Sequence, residues 1–448
     1  MSFTQKYDDW FKRLLPSPFS IAVILTLLVL LFSILSTEKP TIQLLTDWQT
    51  GLWNTNLLAF GFQMMLMLVL GHTLALSQFF DKSIQLLISP IKNTAQAAAL
   101  VTFTTIVVAF FNWGLGLIFG AIIARKIGEH FSNKHIKINY PLIGAAGYIG
   151  LMVWHGGLSG SALSKVAEVG HLRDIGSNIE LPAAITYDMT VFGAMNVSSF
   201  IALLLLVPAV YYLMGKRSTG KLLKLEGKVQ NESNPKNLKG AEKIDHSTAI
   251  NRVIGFLMLS LAIYLAISHS RMNLGFITPN YINFTMLSLC LLLHRNFFQF
   301  LKSIDKAIQG SSGILIQFPL YFGILALMKS SGLIVTISDF FIDISSPTTL
   351  PIFTFTSAAL VNIFVPSGGG QWAIQGPIII EAATQLNVPL PKMIMALAYG
   401  DQLTNMLQPF WALPLLSITG LKAKDILPYA LVSLCIGTII FISVLLIF

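Results

Sequence analysis

The chain has 448 residues, 54% of them hydrophobic and only 11% charged, with a mean hydropathy of +0.71; an average soluble domain carries about 25% charged residues. Apolar runs long enough to cross roughly 30 Å of hydrocarbon as helices recur along the whole sequence, which excludes an ordinary soluble domain and defines an all-α, polytopic membrane protein. The net charge of +9 lies in the polar connections between those runs, a distribution that reports topology and not a nucleic-acid partner.

The chain opens with MSFTQKYDDWFKRLLPSPFS, an amphipathic lead-in with mixed charges. No small-residue cleavage site follows the first apolar run, so no cleavable signal is expected. Uninterrupted spans are predicted at 18–36, 55–80, 189–214, 252–269, 279–294, 310–329 and 427–448. Spans 140–164 and 391–417 carry internal interruptions, HGGLSGS at 155–161 and NMLQPFW at 405–411. Stretches 95–127 and 348–385 are each split into two half-length apolar arms, by FNWGLG (111–116) and by the run FVPSGGGQWAIQGP that starts at Phe364. The longest polar segment, 215–251, is rich in Lys, Asn, Gly and Glu and reads as a flexible cytoplasmic linker. Cys290 and Cys435 both fall in apolar runs and read as small buried hydrophobes, not as a disulfide or metal site.

The two halves resemble each other in the order of their features. AFGFQMMLMLVLGHTLA leads to SQFFDKSI in the first half, and ILIQFPLYFGILALM leads to ISDFFIDI in the second. A split stretch follows in each, then an interrupted span with Tyr148 or Tyr399 early in it. That order indicates an internal repeat. Its orientation follows from charge. If the split stretches are re-entrant hairpins and the N-terminus is inside, 23 of the 29 Lys and Arg residues face the cytoplasm. If each stretch crosses once, only 11 do. The positive-inside bias favours hairpins.

The expected organisation is therefore about nine crossings and two re-entrant hairpins. A first repeat covers 1–214, the linker 215–251, a connecting helix 252–269, and a second, inverted repeat 270–448. Hairpin tips that enter from opposite sides would meet near the midplane, the arrangement of an alternating-access transporter.

Non-helical backbone survives inside hydrocarbon only where protein, water or ligand satisfies it. The returning arm of a hairpin presents free N–H donors and a positive partial charge at its N-terminus, so it can hold an anion. In the second hairpin Gly368, Gly369 and Gly370 would let backbone approach a ligand. Pro366 would fix the turn, while Ser367, Gln371 and Gln375 add neutral hydrogen bonds. The first hairpin offers Asn112, Trp113, Gly114 and Gly116. In HGGLSGS the glycines Gly156, Gly157 and Gly160 with Ser159 and Ser161 fit either small-residue helix packing or a wall of the substrate site. Asn405 and Gln408 hold the matching place in the second repeat.

Ionisable residues within spans are His72, His155, Glu381 and Asp401, with Asp188 at a helix entry. Such groups default to functional hypotheses, although His72 fits an interhelical hydrogen bond equally well. Asp401 stands four residues before Asn405, on one helical face toward the break, and is a candidate for proton or cation coupling. His155 borders the other break and could titrate near neutral pH. With no Arg or Lys deep in a span, dipoles and hydroxyls would hold the anion, which suits a small monocarboxylate.

NWGLGLIFGAIIAR, VWHGGLSGSA and above all FVPSGGGQWAIQGP resemble the bacterial short-chain fatty acid transporter family over the whole chain. The resemblance implies a member of the ion-coupled anion transporters built on inverted repeats. It further implies uptake of butyrate- or acetoacetate-like cargo across the inner membrane, with the N-terminus cytoplasmic. The expected partners are that monocarboxylate, H⁺ or Na⁺ as coupling ion, and the lipid bilayer. Neither a cofactor nor nucleic acid is expected, and a homodimer is left open. Two alternatives stand beside this reading. One is a transporter of the same fold for another small organic anion. The other is an intramembrane serine protease, suggested by GLSG at 157–160 with His155 or His72 as base; it leaves the repeat unexplained and sets His155 on the same helix as Ser159.

Overall fold

Short polar residues and prolines set where the helices of this chain begin. In the computed structural model, which describes residues 17–175, 181–223, 225, 240–268, 278–309, 312–408 and 410–448, an asparagine side chain caps the helices starting at Thr55, Thr94, Trp113, Tyr140 and Phe297. Each cap accepts from a backbone N–H of the first turn, which would otherwise be an orphan in apolar surroundings. The lead-in before Ser17, most of the polar linker and the connection 269–277 lie outside the described residues.

The described secondary structure is helical apart from an isolated antiparallel bridge between Ile138 and Lys221. The first half runs α1 Pro18–Ser36, α2 Thr41–Leu52, α3 Thr55–Ala75, α4 Gln78–Ile88, α5 Thr94–Phe111, α6 Trp113–Asn133, α7 Tyr140–Tyr148, α8 Ser161–Val166, α9 His171–Ile175 and α10 Ala194–Arg217. After α11 Glu242–Asp245 and α12 Thr248–Ser268, the second half runs α13 Pro279–Leu293, α14 Phe297–Ile308, α15 Ser312–Ser330, α16 Leu333–Asp343, α17 Leu350–Phe364 and α18 Gly368–Gln385. It closes with α19 Leu390–Thr404, α20 Leu413–Thr419 and α21 Ala423–Ile447. Short 3₁₀ turns, Ile149–Met152 and Asn405–Leu407, extend α7 and α19.

One sequence of elements thus occurs twice, with the short α9 as an addition in the first half. Packing between the halves is reciprocal. Helices α1 and α2 lie on α15, while their counterparts α13 and α14 lie on α3. Likewise α20 lies on α6 and α8 on α18, and the two 3₁₀ turns touch each other.

Several boundaries differ from those expected. The apolar run 55–80 is two helices, because the chain turns at Leu76 and Ser77 before the amphipathic α4. Helices α2, α14 and α16 were not foreseen as elements. They are short and two-faced, and a search for continuous apolar runs passes over that pattern. Around FNWGLG the helix is interrupted at a single residue, Asn112, so Trp113, Gly114 and Gly116 belong to the returning helix. The second break is confined to 365–367, and Gly368, Gly369 and Gly370 form the first turn of α18. Helix α7 with its 3₁₀ turn stops at Met152 and the chain is irregular to Gly160, whereas the second interruption falls at 408–412. Cys290 is buried as expected, but Cys435 is exposed on the surface of α21. A thiol among apolar neighbours tolerates a lipid-facing position as readily as a core one.

Both split stretches fold back on themselves. In the first, a Cβ placed on Gly116 would meet Ala109, and one on Gly120 would meet Thr105. These pairs are symmetric about Asn112, the register of two antiparallel arms. In the second, Gln371 Nε2 donates to Ala358 O at 2.9 Å and Gln375 Nε2 to Ser357 Oγ at 3.0 Å.

Helices α6 and α7 cross where Gly120 and Gly147 face each other, and a Cβ on either would collide with the carbonyl oxygen of the other. Overpacking of this kind costs about 1–3 kcal/mol or more when backbone cannot yield. Gly120→Val is expected to lower the melting temperature and the yield of monodisperse protein in detergent. Gly369→Ala, whose Cβ meets only Ser161 at 3.8 Å, is expected to leave both unchanged.

Candidate functional site

The irregular segment 153–160 and Ser161 after it are held between the tips of the two fold-back pairs. On one side Trp113 N–H donates to Ser159 Oγ at 3.0 Å and Leu158 N–H to Phe110 O at 2.9 Å. A Cβ on Gly157 would strike Phe110 O. On the other side a Cβ on Gly368 would stand 2.8 Å from His155 Cε1 and 2.8 Å from Trp154 Cη2. The absence of side chains at 157 and 368 is what lets both tips approach.

His155 and Asp401 meet through a hydrogen bond with both side chains buried; His155 is 0% and Asp401 1% exposed. His155 Nε2 accepts from Ala162 N–H at 3.0 Å. An imidazole nitrogen that accepts carries no proton, so neutral His155 is protonated at Nδ1 and donates there to Asp401 Oδ2. Asp401 Oδ1 is buried with no hydrogen-bond partner. The carboxylate thus has one oxygen fixed by His155 and one without a hydrogen-bond partner.

The interruption that follows α19 is organised around Asn362 of α17. Its Nδ2 donates to Asp401 O at 2.6 Å, to Thr404 Oγ1 at 3.0 Å and to Asn405 Oδ1 at 3.0 Å. Gln408 Nε2 donates back to Asn362 O. Tyr148 O–H reaches over from the first half to Asn405 O at 2.8 Å and Gln408 O at 3.0 Å. The matching Tyr399 donates to Asn196 Oδ1 at 3.1 Å, and Asn196 Nδ2 holds Gly156 O at 2.7 Å. Gly156 N–H is taken by Gln402 Oε1 at 2.9 Å. Each interruption is therefore braced by the other half.

The residues singled out in the sequence take different places in the structure. His155, Gly157, Ser159, Asn112, Trp113, Gly368 and Asp401 come together around segment 153–161. Asn112 and Ser367 cap their own returning helices, accepting from Leu115 N at 3.1 Å and Gly370 N at 3.2 Å. Gly114 and Gly116 serve packing, against Met67 and Ala109, and Gly370 sits against Ser367. Gln371 is fully buried and braces the arm α17, while Asn405 and Gln408 are engaged at the interruption after α19. Only Gly369 opens on free space, with Ser161 as its nearest neighbour.

Sequence reasoning missed Asn362, Asn196, Gln402 and Trp154. Asn362 and Asn196 were legible as lone amides in apolar helices, the kind of residue that must find a partner inside the protein. Serine-protease geometry is not formed, since His155 Nε2 is engaged by Ala162 N–H and Ser159 Oγ by Trp113 N–H. An aromatic wall flanks the site. Trp113 lies 6.0 Å from Trp154 and 5.2 Å from Trp411, with Phe410 4.9 Å beyond.

Long apolar helices, the fold-back pairs α5–α6 and α17–α18 and two braced interruptions make a multi-pass, all-α membrane protein, and the family match adds that it is a transporter. The chain belongs to the short chain fatty acid transporter family, whose model matches residues 3–448. It is 37% identical over 437 residues to an Escherichia coli (strain K12) protein provisionally named a short-chain fatty acid transporter, with 96% of each chain covered. A Haemophilus influenzae protein of the same provisional name is 35% identical over 443 residues, again with 96% of each covered. Among solved structures, MtrF of Neisseria gonorrhoeae, described with a class of antimetabolite efflux pumps, aligns over 100% of this chain and 97% of its own, at 14% identity and a TM-score of 0.43. The Alcanivorax borkumensis YdaH transporter aligns over 95% and 98%, with 14% identity and the same score.

Tyr148→Phe removes the donor from two buried carbonyls. An unsatisfied buried acceptor costs about 1–3 kcal/mol, so the variant is expected to melt several degrees lower in detergent while remaining helical by circular dichroism.

Proposed function

We propose that this protein is a secondary active symporter that carries short-chain monocarboxylates, such as butyrate or acetoacetate, across the bacterial inner membrane with H⁺ or Na⁺. In this reading the two fold-back pairs are re-entrant hairpins, the two halves are inverted repeats and the N-terminus is cytoplasmic. The cargo carboxylate lies between the tips, near Gly369, Ser159 and Ser161. The observation that carries the proposal is the buried His155–Asp401 pair against the tip at Gly368.

That placement supplies a physical basis for coupling. Like unit charges a few ångströms apart repel by about 2–4 kcal/mol at an effective dielectric of about 20. An anionic cargo at the second tip therefore binds poorly while Asp401 is bare and well once a proton or cation rests on Asp401 Oδ1. Linkage makes the effect mutual: cargo raises the affinity for the ion by the same factor. Motion of the hairpins against the remaining helices then exposes the loaded site to one side at a time.

Uptake of labelled butyrate into proteoliposomes under separately imposed H⁺ and Na⁺ gradients tests this directly. Accumulation under one gradient is expected; entry that neither gradient concentrates would remove the coupling, and no entry at all would remove the cargo. Asp401→Asn keeps an acceptor oxygen for His155 Nδ1–H, so the fold is retained while gradient-driven accumulation falls by about tenfold or more. Gly369→Leu, projecting into the open space, is expected to abolish uptake without lowering the melting temperature.

A further inference from the structure

Trp154 stands beside the candidate site with an unused hydrogen-bond donor. The residue is 5% exposed, and its Nε1 is buried without a partner. The indole is fixed on three sides: stacked on His155 at 4.6 Å, edge-on to Trp113 at 6.0 Å, and with Cη2 against Gly368. Because the ring is rigid, Nε1 lies within one ring's width of the first turn of α18. There the N–H groups of Gly368 and Gly369 have no acceptor among the described residues, Ser367 Oγ being taken by Gly370 N–H.

We infer that Trp154 is a ligand of the cargo's carboxylate, donating its indole N–H to one oxygen while the N-terminus of α18 at Gly368 and Gly369 receives the other. The inference rests on the carboxylate-transport reading above and adds to it a specificity-determining residue. The chemistry is one-sided. An indole N–H and two backbone N–H groups can only donate, so they complement an anion and offer nothing to a cation. A buried N–H left unpaired is costly, and an ionised acceptor forms about twice as strong a hydrogen bond as a neutral one. The site therefore favours the ionised acid over an isosteric amide without needing an embedded Lys or Arg. It also separates the two charges of the transport cycle: the anion meets donors at Trp154 and α18, and the proton or cation meets acceptors at Asp401.

The test is binding of butyrate and of butyramide to purified protein, measured by isothermal titration, in the wild type and in Trp154→Phe. Phenylalanine keeps a ring on His155 and removes the N–H. Butyrate affinity is expected to fall about tenfold, with butyramide affinity changed much less, so that the preference for the acid shrinks. Trp154→Tyr, which also lacks the indole N–H, serves as a second variant, and thermal melting establishes that each is folded. Equal butyrate affinity in wild type and variants, or equal weakening of acid and amide, overturns the role of Trp154 and leaves the transport reading standing. Failure of the wild type to bind butyrate overturns both.

Discussion

A helix that stops inside apolar surroundings leaves carbonyls and amides that must find partners, and in this chain the partners come from the opposite half. The two tyrosines that recur in the repeat show the rule most clearly. Tyr148 satisfies two carbonyls of the 405–408 break directly, and Tyr399 steadies the 153–160 break through Asn196. Gln402 of α19 adds a bond to Gly156 in the first interruption. Everything else at the site depends on this exchange, because irregular backbone at the centre of a membrane protein persists only while it is answered. The interruptions stay open toward one another, and the two tips close on the segment between them.

Charge is economised in the same region. One carboxylate and one neutral imidazole are the ionisable groups buried there, and all other polar contacts are amides, hydroxyls and backbone. A permanent cation would hold an anion too firmly for release, whereas dipoles and neutral donors hold it with energies that a single charge change can offset. The arrangement of His155 is consistent with that economy: its ring is locked in one tautomer by Ala162 N–H, so its other nitrogen is committed to Asp401. What that pair leaves without a partner is one carboxylate oxygen, Asp401 Oδ1.

Much of this was legible in the sequence. Composition alone gave the class, and the order of apolar runs and breaks gave the doubled arrangement of elements. His155 and Asp401 stood out because ionisable groups are rare in such helices. FVPSGGGQW marks a place where helix stops, but the glycines counted within the break lie outside it. They are helical, and their value lies in close approach, with Gly368 admitting His155 and Trp154. Asn362 and Asn196 could be picked out as amides in apolar helices, but their partners could not, and Gln402, which meets Gly156 from the other half of the chain, leaves no local trace. Trp154 escaped for a different reason: in an apolar stretch an indole reads as core, and only the environment of its N–H separates packing from recognition. The amphipathic helices α2, α14 and α16 leave no continuous hydrophobic run in the sequence.

The reciprocal packing of the two halves has a bearing on how the protein is made. Helix α3 is covered by α13 and α14, and α15 by α1 and α2. During synthesis the first half therefore enters the bilayer before α13 and α14, the helices that cover the flank of α3 in the folded protein. Helices α1 and α2 meanwhile wait for a surface that emerges hundreds of residues later. The final assembly of such a chain is held back until its last third is inserted, in contrast to domains that fold one after another as they emerge.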